Sequence, residues 1–227
     1  MNSVDVIIPV YNYEKFIGEA INSILKQTWK DLKIIVVDDG STDATAERVK
    51  EIQKSDVRVV LFQPGKVGIP AALNLALEKS TAPYIAFLDA DDLWEKTKLE
   101  KQIVFLKINR EVMICFTQIK EFETFDDSTQ KQNFRARKEV MNGLVRDTFL
   151  GKRELFEKYG KFDVEKNSGE FILWFSPLIH DNCKYKILPE VLAYRRIHDN
   201  NLTRSINPKD YLKVIKAHLD AKKRNDN

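Results

Sequence analysis

Cysteine is scarce in this chain: Cys115 and Cys183 are the two among 227 residues. They lie far apart and in no metal-ligand spacing, which argues against a disulfide-stapled scaffold and a thiolate zinc site and leaves reduced, structural thiols. Excess charge of one sign is also missing. The 37 basic residues against 34 acidic ones give a net charge of +3, too balanced for a nucleic-acid partner. No apolar run approaches the roughly twenty residues of a membrane helix, and the stretch Val4 to Val10 follows the N-terminus without the basic region and apolar core of an export signal. The expectation is a cytoplasmic protein without a transmembrane segment. There is no internal repeat and no low-complexity tract.

What is present is an alternation. Val4 to Val10, Leu32 to Val37, Val57 to Phe62 and Tyr84 to Leu88 read as short buried strands, rich in β-branched and aromatic residues. Between them lie helical patterns at Glu14 to Lys26, after Asp43 to about Ser55, and at Ala71 to Lys79. A fourth, Glu95 to Asn109, follows. In the first, Phe16, Ile17, Ala20, Ile21, Ile24 and Leu25 share one face. This β-α-β-α order with short connections predicts a three-layer α/β/α fold with a mostly parallel central sheet and right-handed crossovers.

After residue 111 the alternation breaks down. Val112 to Phe116 reads as a strand and Glu121 to Arg137 as a polar, exposed segment. A short strand at Thr148 to Leu150 and a helix from Lys152 to Tyr159 ended by Gly160 follow. A further helix capped by Ser168, an extended stretch from Tyr185 to Arg196, and a basic helix at Tyr211 to Arg224 complete the chain. The expected organisation is one domain: a nucleotide-binding half at 1–110, an acceptor and catalytic half at 111–205, and a C-terminal helix at 206–227.

Two strand ends carry the chemistry. The apolar run Tyr84 to Leu88 stops at Asp89, and Asp91 and Asp92 follow within three positions. Acids at the carboxyl edge of an open α/β sheet sit where such sheets bind ligands, and Asp-x-Asp suits a divalent cation whose other ligands are phosphate oxygens. The bland alternative is a turn, with Asp92 and Glu95 capping the next helix. The second strand ends in Asp38-Asp39-Gly40-Ser41-Thr42-Asp43. There Gly40 permits a tight turn, Ser41 or Asp43 can cap the following helix, and Asp38 reads as a turn acid.

Together, Val-Asp-Val-Ile-Ile-Pro-Val-Tyr-Asn at the start, Val-Val-Asp-Asp-Gly-Ser-Thr-Asp after strand two and Phe-Leu-Asp-Ala-Asp-Asp after strand four closely resemble the inverting glycosyltransferase family 2, which has the GT-A fold. The resemblance implies a nucleotide-diphospho-sugar donor, most often a UDP-sugar, and Mn²⁺ or Mg²⁺. It implies that Pro9 and Tyr11 flank the base and that Asp39 accepts its N3–H. Lys66 and Asn74 fall near the ribose and diphosphate, although the family's usual Arg beside that Asn is Leu73 here. Asp89 and Ala90 fall beside the ribose or a metal-bound water, Asp91 on the metal, and His198 on the metal or diphosphate. The family's general base lies just before a Leu-Trp at a helix start, so Glu170, in Gly-Glu-Phe-Ile-Leu-Trp174, takes that role by resemblance. Gly169 and Ile172 replace its usual acidic neighbours.

Other readings remain beside this one. A sugar nucleotidyltransferase would need a Gly-rich loop after strand one to cradle a triphosphate, and no glycine precedes Gly18. A catalytically inactive sugar-nucleotide-binding or scaffold protein of the same fold is kept open by the altered surroundings of Glu170. No Gln-x-x-Arg-Trp and no membrane segments accompany the motifs, which argues against a processive synthase. Lys213, Lys216, Lys222, Lys223 and Arg224 suit peripheral contact with the inner membrane face, against the plainer reading of a packed terminal helix. The acceptor, whether glycan, lipid-linked, small molecule or peptide, has no signature.

Overall fold

The computed structural model describes residues 3–123, 139–165 and 169–198. Its first half follows the expected alternation. β1 (Val4–Val10), β2 (Leu32–Asp38), β3 (Val59–Phe62) and β4 (Tyr84–Phe87) run parallel in the order β3-β2-β1-β4. They are separated by α1 (Ile17–Leu25), α2 (Thr45–Ser55) and α3 (Ile69–Lys79). Alternate residues of each strand face opposite sides, and the core divides accordingly. Val4, Val6, Ile8, Ile34 and Val36 pack with Ile17, Ile21 and Ile24 of α1 on one face. Ile7, Ile35, Val37, Ile85 and Phe87 pack with Leu73, Ala76 and Leu77 of α3 on the other. A strand buried on both faces has little polar side to show, hence the apolar runs of β1 and β2, interrupted only by Asp5 and Lys33 before β2 ends in Asp38.

The second half extends the same sheet. β5 (Leu93–Trp94), α4 (Lys98–Ile108), β6 (Ile114–Glu123), β7 (Met141–Asn142), β8 (Leu150–Lys152), α5 (Glu154–Tyr159), α6 (Glu170–His180) and β9 (Tyr185–Ile197) follow in the chain. The sheet order continues β4-β8-β6-β9-β5, with β7 paired to β6. β8 is antiparallel to both β4 and β6, and β9 is parallel to β6 with bulges around Gln118. The sheet is therefore mostly parallel, as the sequence predicts. α6 seals one face through Phe171, Trp174, Phe175 and Leu178, which close on Phe87, Phe116, Phe149 and Phe156; Phe156 and Trp174 stack at 4.3 Å.

Several boundaries differ from expectation. α1 starts at Ile17, because Tyr13 to Phe16 form a turn in which the Tyr13 carbonyl accepts the Phe16 and Ile17 amides. The helix expected from Glu95 starts at Lys98, because Leu93 and Trp94 pair with Tyr194 and Ala193 of β9. The strand expected to close at Phe116 runs to Glu123, so the first part of the polar segment is sheet. Residues 124–138, the Ser168 cap and the 206–227 helix lie outside the described residues. Among those described, no helix is long and apolar enough to cross a membrane.

Candidate active site

β1 runs past its last β4 partner, the Ile7–Phe87 pair, while its pairing with β2 continues to Val10. The sheet thus opens at its carboxyl edge, and the loops after β1, β2 and β4 converge there. Pro9 is buried in the free-running part of β1, in register with Val37.

The loops after β1 and β2 are interlocked by short polar side chains. The Asn12 amide donates to Ser41 Oγ at 2.9 Å and Asn12 Oδ1 accepts the Thr42 amide at 2.7 Å. The Tyr13 amide donates to Thr45 Oγ1, the Glu14 amide to Asp43, and the Ala44 amide to Glu14. Neither Ser41 nor Asp43 caps α2 in the expected way. Both brace the neighbouring loop, while Asp43 also closes a turn onto Thr45. Asp38 accepts the Ser41 amide and Gln63 Nε2, as befits a turn acid.

Asp39 is buried, and one of its oxygens, Oδ1, accepts the amides of Val67 and Gly68 at 2.5 and 2.8 Å. That grip brings in the Gln63–Gly68 loop. Gly40, at φ +81°, lets it come close: a Cβ there would lie 3.0 Å from the Lys66 nitrogen. Lys66 Nζ then stands 4.3 Å above the Tyr11 ring and donates to its hydroxyl at 3.3 Å. Tyr11, Asp39 and Lys66 therefore meet in one place. Asn74 does not join them. Its side-chain carbonyl accepts the Phe162 amide at 2.9 Å and its NH₂ donates to the Phe162 carbonyl at 2.8 Å, so it clamps the segment after α5.

The loop after β4 holds the acids. Asp91 Oδ2 lies 3.0 Å from His198 Nε2, and the His198 ring packs on Phe16 at 4.7 Å. Ala90, between Asp89 and Asp91 in the chain, is buried. Asp89 Oδ1 accepts Arg146 Nε at 3.0 Å and Nη2 as well, while Arg146 Nη1 donates to Glu170 Oε1 at 2.6 Å. One guanidinium thus joins the β4 loop to the first residue of α6. Asp92 caps no helix. It is buried and accepts the Arg196 amide at 2.8 Å.

Three residues of this centre carried no strong signal in the sequence. Arg146 and Asp147 begin a 3-10 turn, Arg146–Thr148, held from below: Asp147 Oδ1 accepts the Asp89 amide at 2.7 Å, Trp94 Nε1 donates to the Asp147 carbonyl at 2.7 Å, and Gln102 Nε2 donates to the Thr148 carbonyl at 2.8 Å. The adjacent Arg-Asp pair before the apolar Phe149-Leu150 is the same pattern of charge at a strand end that marks Asp89. Arg196, readable as an ordinary surface charge, is 2% exposed. Its guanidinium lies between the Phe16 and Phe122 rings at 4.8 and 4.7 Å, and donates to the Asp91 carbonyl and to Glu19.

Packing this many acids together has an electrostatic consequence. Burial, then repulsion from Asp147, Asp91 and Asp89, pushes the Asp92 carboxyl well above its ordinary range. Burial, then Asp89, pushes Asp147 up to about 7 against the pull of Arg146. For Arg146 burial works against the charge, but Asp89, Glu170 and Asp147 outweigh it and hold the pKa well above a guanidinium's ordinary value. Carboxylate oxygens of Asp89, Asp92 and Asp147 lie within 4.8 Å of one another, and the Asp91–His198 pair adds a further oxygen and an imidazole nitrogen. An acid cluster that resists full ionisation, lined with oxygen and imidazole donors, fits a divalent cation such as Mn²⁺ or Mg²⁺.

The comparisons with known proteins agree with this architecture. Residues 5–166 match the family described as Glycosyl transferase family 2. An uncharacterized glycosyltransferase of Haemophilus influenzae is 43% identical over 114 residues, 50% of this chain and 46% of that protein; the chain spans less than half the length of that relative. S. aureus TarS 1–349, solved in complex with UDP-GlcNAc, superposes with a TM-score of 0.73 at 23% identity, over 96% of this chain and 66% of that one. The mannosyltransferase PcManGT from Pyrobaculum calidifontis, solved with GDP-Man and Mn²⁺, gives 0.68 at 19% identity, over 89% and 59%. At that identity the two structures speak for the GT-A fold. The interlocked strand-end loops, the acid cluster and the family match lead to one conclusion: this chain belongs to glycosyltransferase family 2.

Proposed function

We propose that the protein moves a single sugar from a nucleotide-diphospho-sugar, with UDP as the nucleotide, to an acceptor hydroxyl, with inversion and in the presence of Mn²⁺ or Mg²⁺. The observation that carries this reading is the shared guanidinium: Asp89 from the donor half and Glu170 from the second half are bound to one Arg146. An inverting transfer needs a base on the side of the sugar opposite the leaving diphosphate, and here Glu170 lies across Arg146 from the acid loop after β4.

In this reading Tyr11, Pro9 and Asp39 receive the base, with Asp39 Oδ2, which accepts no hydrogen bond among the described residues, as the acceptor for its N–H. Lys66 attracts the diphosphate. Asp89 and the Ala90 backbone meet the ribose, and Asp91 and His198 would hold the cation. A bound cation would neutralise charge that develops on the leaving nucleoside diphosphate. Glu170 takes the proton of the acceptor hydroxyl as that oxygen bonds to the anomeric carbon and the bond to the diphosphate oxygen breaks. The UDP-GlcNAc bound by TarS and the GDP-Man bound by PcManGT support a nucleotide-sugar donor.

The test is nucleotide release with Mn²⁺ across a panel of UDP-sugars and GDP-mannose, for wild type, Asp91→Ala and Glu170→Gln. Turnover of one sugar, lost in both variants while Glu170→Gln still binds UDP, is the expected result. A second reading, a sugar-nucleotide-binding protein without turnover, draws on the Arg146–Glu170 contact itself, because that contact occupies one of the two oxygens of the candidate base. Nucleotide binding with metal but no turnover on any donor, with acceptor panels added, would favour it. Absence of nucleotide binding would sink both.

A further inference from the structure

Arg146 divides its contacts unevenly within each carboxylate. Toward Glu170 it uses Oε1, and toward Asp89 it uses Oδ1 through two nitrogens. Among the described residues, Glu170 Oε2 and Asp89 Oδ2 accept no hydrogen bond. The guanidinium and Glu170 are both largely sheltered, at 12% and 14% side-chain exposure, whereas Asp89 is 36% exposed. One cation thus fixes one oxygen of each acid and leaves the other for substrate.

Its own backbone is rigidly mounted. The 3-10 turn that carries it is gripped by the Trp94 indole, the Gln102 amide and the Asp89 backbone N–H. Among the described residues, Glu170 has no comparable local support. It opens α6 directly after Gly169, which sits at φ +73° and offers no side-chain cap, and a glutamate carries three side-chain torsions to be fixed. A planar fork with fixed donor spacing can set such a carboxylate in both position and orientation.

We infer that Arg146 is the positioning residue of the general base: it pins Glu170 Oε1 to the Asp89 loop and so presents Oε2 to the acceptor hydroxyl at a set distance from the donor. The assignment rests on the transfer reading above. It places the specificity for a guanidinium, rather than for positive charge alone, in the chemical step.

The experiment is steady-state transfer by wild type, Arg146→Gln, Arg146→Lys, Glu170→Gln and the Arg146→Gln/Glu170→Gln pair, each with its donor KM and UDP affinity. Misplacing a reacting group by about an ångström costs on the order of 100-fold. Arg146→Gln is therefore expected to lose kcat by about that factor with donor KM within about threefold. Arg146→Lys, which reaches one carboxylate but cannot fork to two, is expected to fall between. The double variant is expected to be no slower than Glu170→Gln, because a residue acting through the base has nothing to act on once the base is gone. An Arg146→Ala variant completes the set, and added guanidinium should return part of its kcat. Where Arg146→Gln fails to fold, the lysine variant and the guanidinium rescue carry the test.

Unchanged kcat in Arg146→Gln, a loss confined to donor KM, or single losses that multiply in the double variant would each overturn the assignment while leaving the transfer reading intact. Wild type that turns over no sugar nucleotide overturns the transfer reading, and this assignment with it.

Discussion

The two ends of the candidate site are held in opposite ways. On the nucleotide side, Asp39 and Tyr11 sit in loops laced by backbone N–H to side-chain oxygen bonds between neighbouring strand ends. On the side proposed as catalytic, Glu170 and the Asp91 loop are each held by a charged side chain arriving from a distant part of the chain, Arg146 and Arg196. The first arrangement is built from short, stiff Asn, Asp, Ser and Thr at turns, the second from two buried guanidinium groups. A scaffold of the first kind tolerates the loss of one partner. One of the second kind leaves a sheltered group unpaired, the Glu170 carboxylate at Arg146 and the Asp91 carbonyl at Arg196. Substitutions on the catalytic side are therefore expected to cost more, and each experiment below can break or sharpen that contrast.

The largest effects belong to the chemistry. Asp91→Ala and Glu170→Gln are each expected to lower transfer by about 100-fold or more, in line with removal of a metal ligand or a general base. They should separate on binding: Asp91→Ala weakens Mn²⁺-dependent UDP binding, whereas Glu170→Gln leaves it unchanged. Isothermal titration with UDP, with and without Mn²⁺, reads this directly. Equal loss of binding in both would erase the proposed division of labour.

Next comes stability. Arg196 bridges Asp91, Glu19 and two aromatic faces from a buried position. Removing it strands the Asp91 carbonyl and the space between Phe16 and Phe122. Arg196→Ala is expected to destabilise by about 3 kcal/mol, against about 1 kcal/mol for Ser41→Ala on the nucleotide side. Urea unfolding of the two variants compares them, and similar costs would remove the distinction between buried-cation and turn-based support.

Legibility follows the same divide. Apolar runs that stop at Asp38 and Asp89 show in the sequence because strand and acid are adjacent, and the sheet edge does the rest. Glu170 and His198 were reached by resemblance, and both lie in the β4 loop's neighbourhood through direct or Arg-mediated contact. Arg146 carries no such mark in the sequence, because its meaning arises from partners 57 and 24 positions away. Asn74 shows the same limit. The resemblance puts this helix residue near the ribose and diphosphate, while in the fold its donor and acceptor hold Phe162. Asp92 likewise looked like a cap because Glu95 follows it, and only the arrival of β9 turns it inward.

A third experiment probes the support beneath the 3-10 turn. Lys98 is fully buried, donates to Gln102 at 2.9 Å and lies 3.8 Å from the Trp94 ring centre. Burial lowers its pKa to about 7, against weaker opposing pulls from Cys115 and Asp147. Below that value the folded protein holds a buried ammonium. Between about 7 and the ordinary lysine value of 10.5 the unfolded chain carries a proton that the folded one lacks, so folding stability rises with pH in that window. One such group can contribute at most about 1.4 kcal/mol per pH unit. Lys98→Met is expected to flatten that rise in urea unfolding measured from pH 7 to 10. An unchanged slope would mean that other groups set it.

The smallest effect is expected where the nucleotide side meets solvent. Tyr11 is 37% exposed, and Lys66 reaches it through a long, flexible stem with one hydrogen bond and a contact over the ring. Exposed cation–π contacts are weak, about 0.5–1 kcal/mol, and the loop's position is set by Asp39 and Gly40, not by Lys66. Lys66→Ala should therefore weaken UDP binding by about two- to fivefold and leave UMP or uridine binding nearly unchanged, since the diphosphate is what the ammonium would attract. The loss should shrink as salt rises, because exposed charges are screened. Gly40→Ala, by contrast, pushes a Cβ into the Lys66 backbone and should weaken all three ligands together. If Lys66→Ala weakens uridine as strongly as UDP, the lysine supports Tyr11 and takes no part in reading the diphosphate, and the nucleotide side would prove as dependent on a cation as the catalytic one.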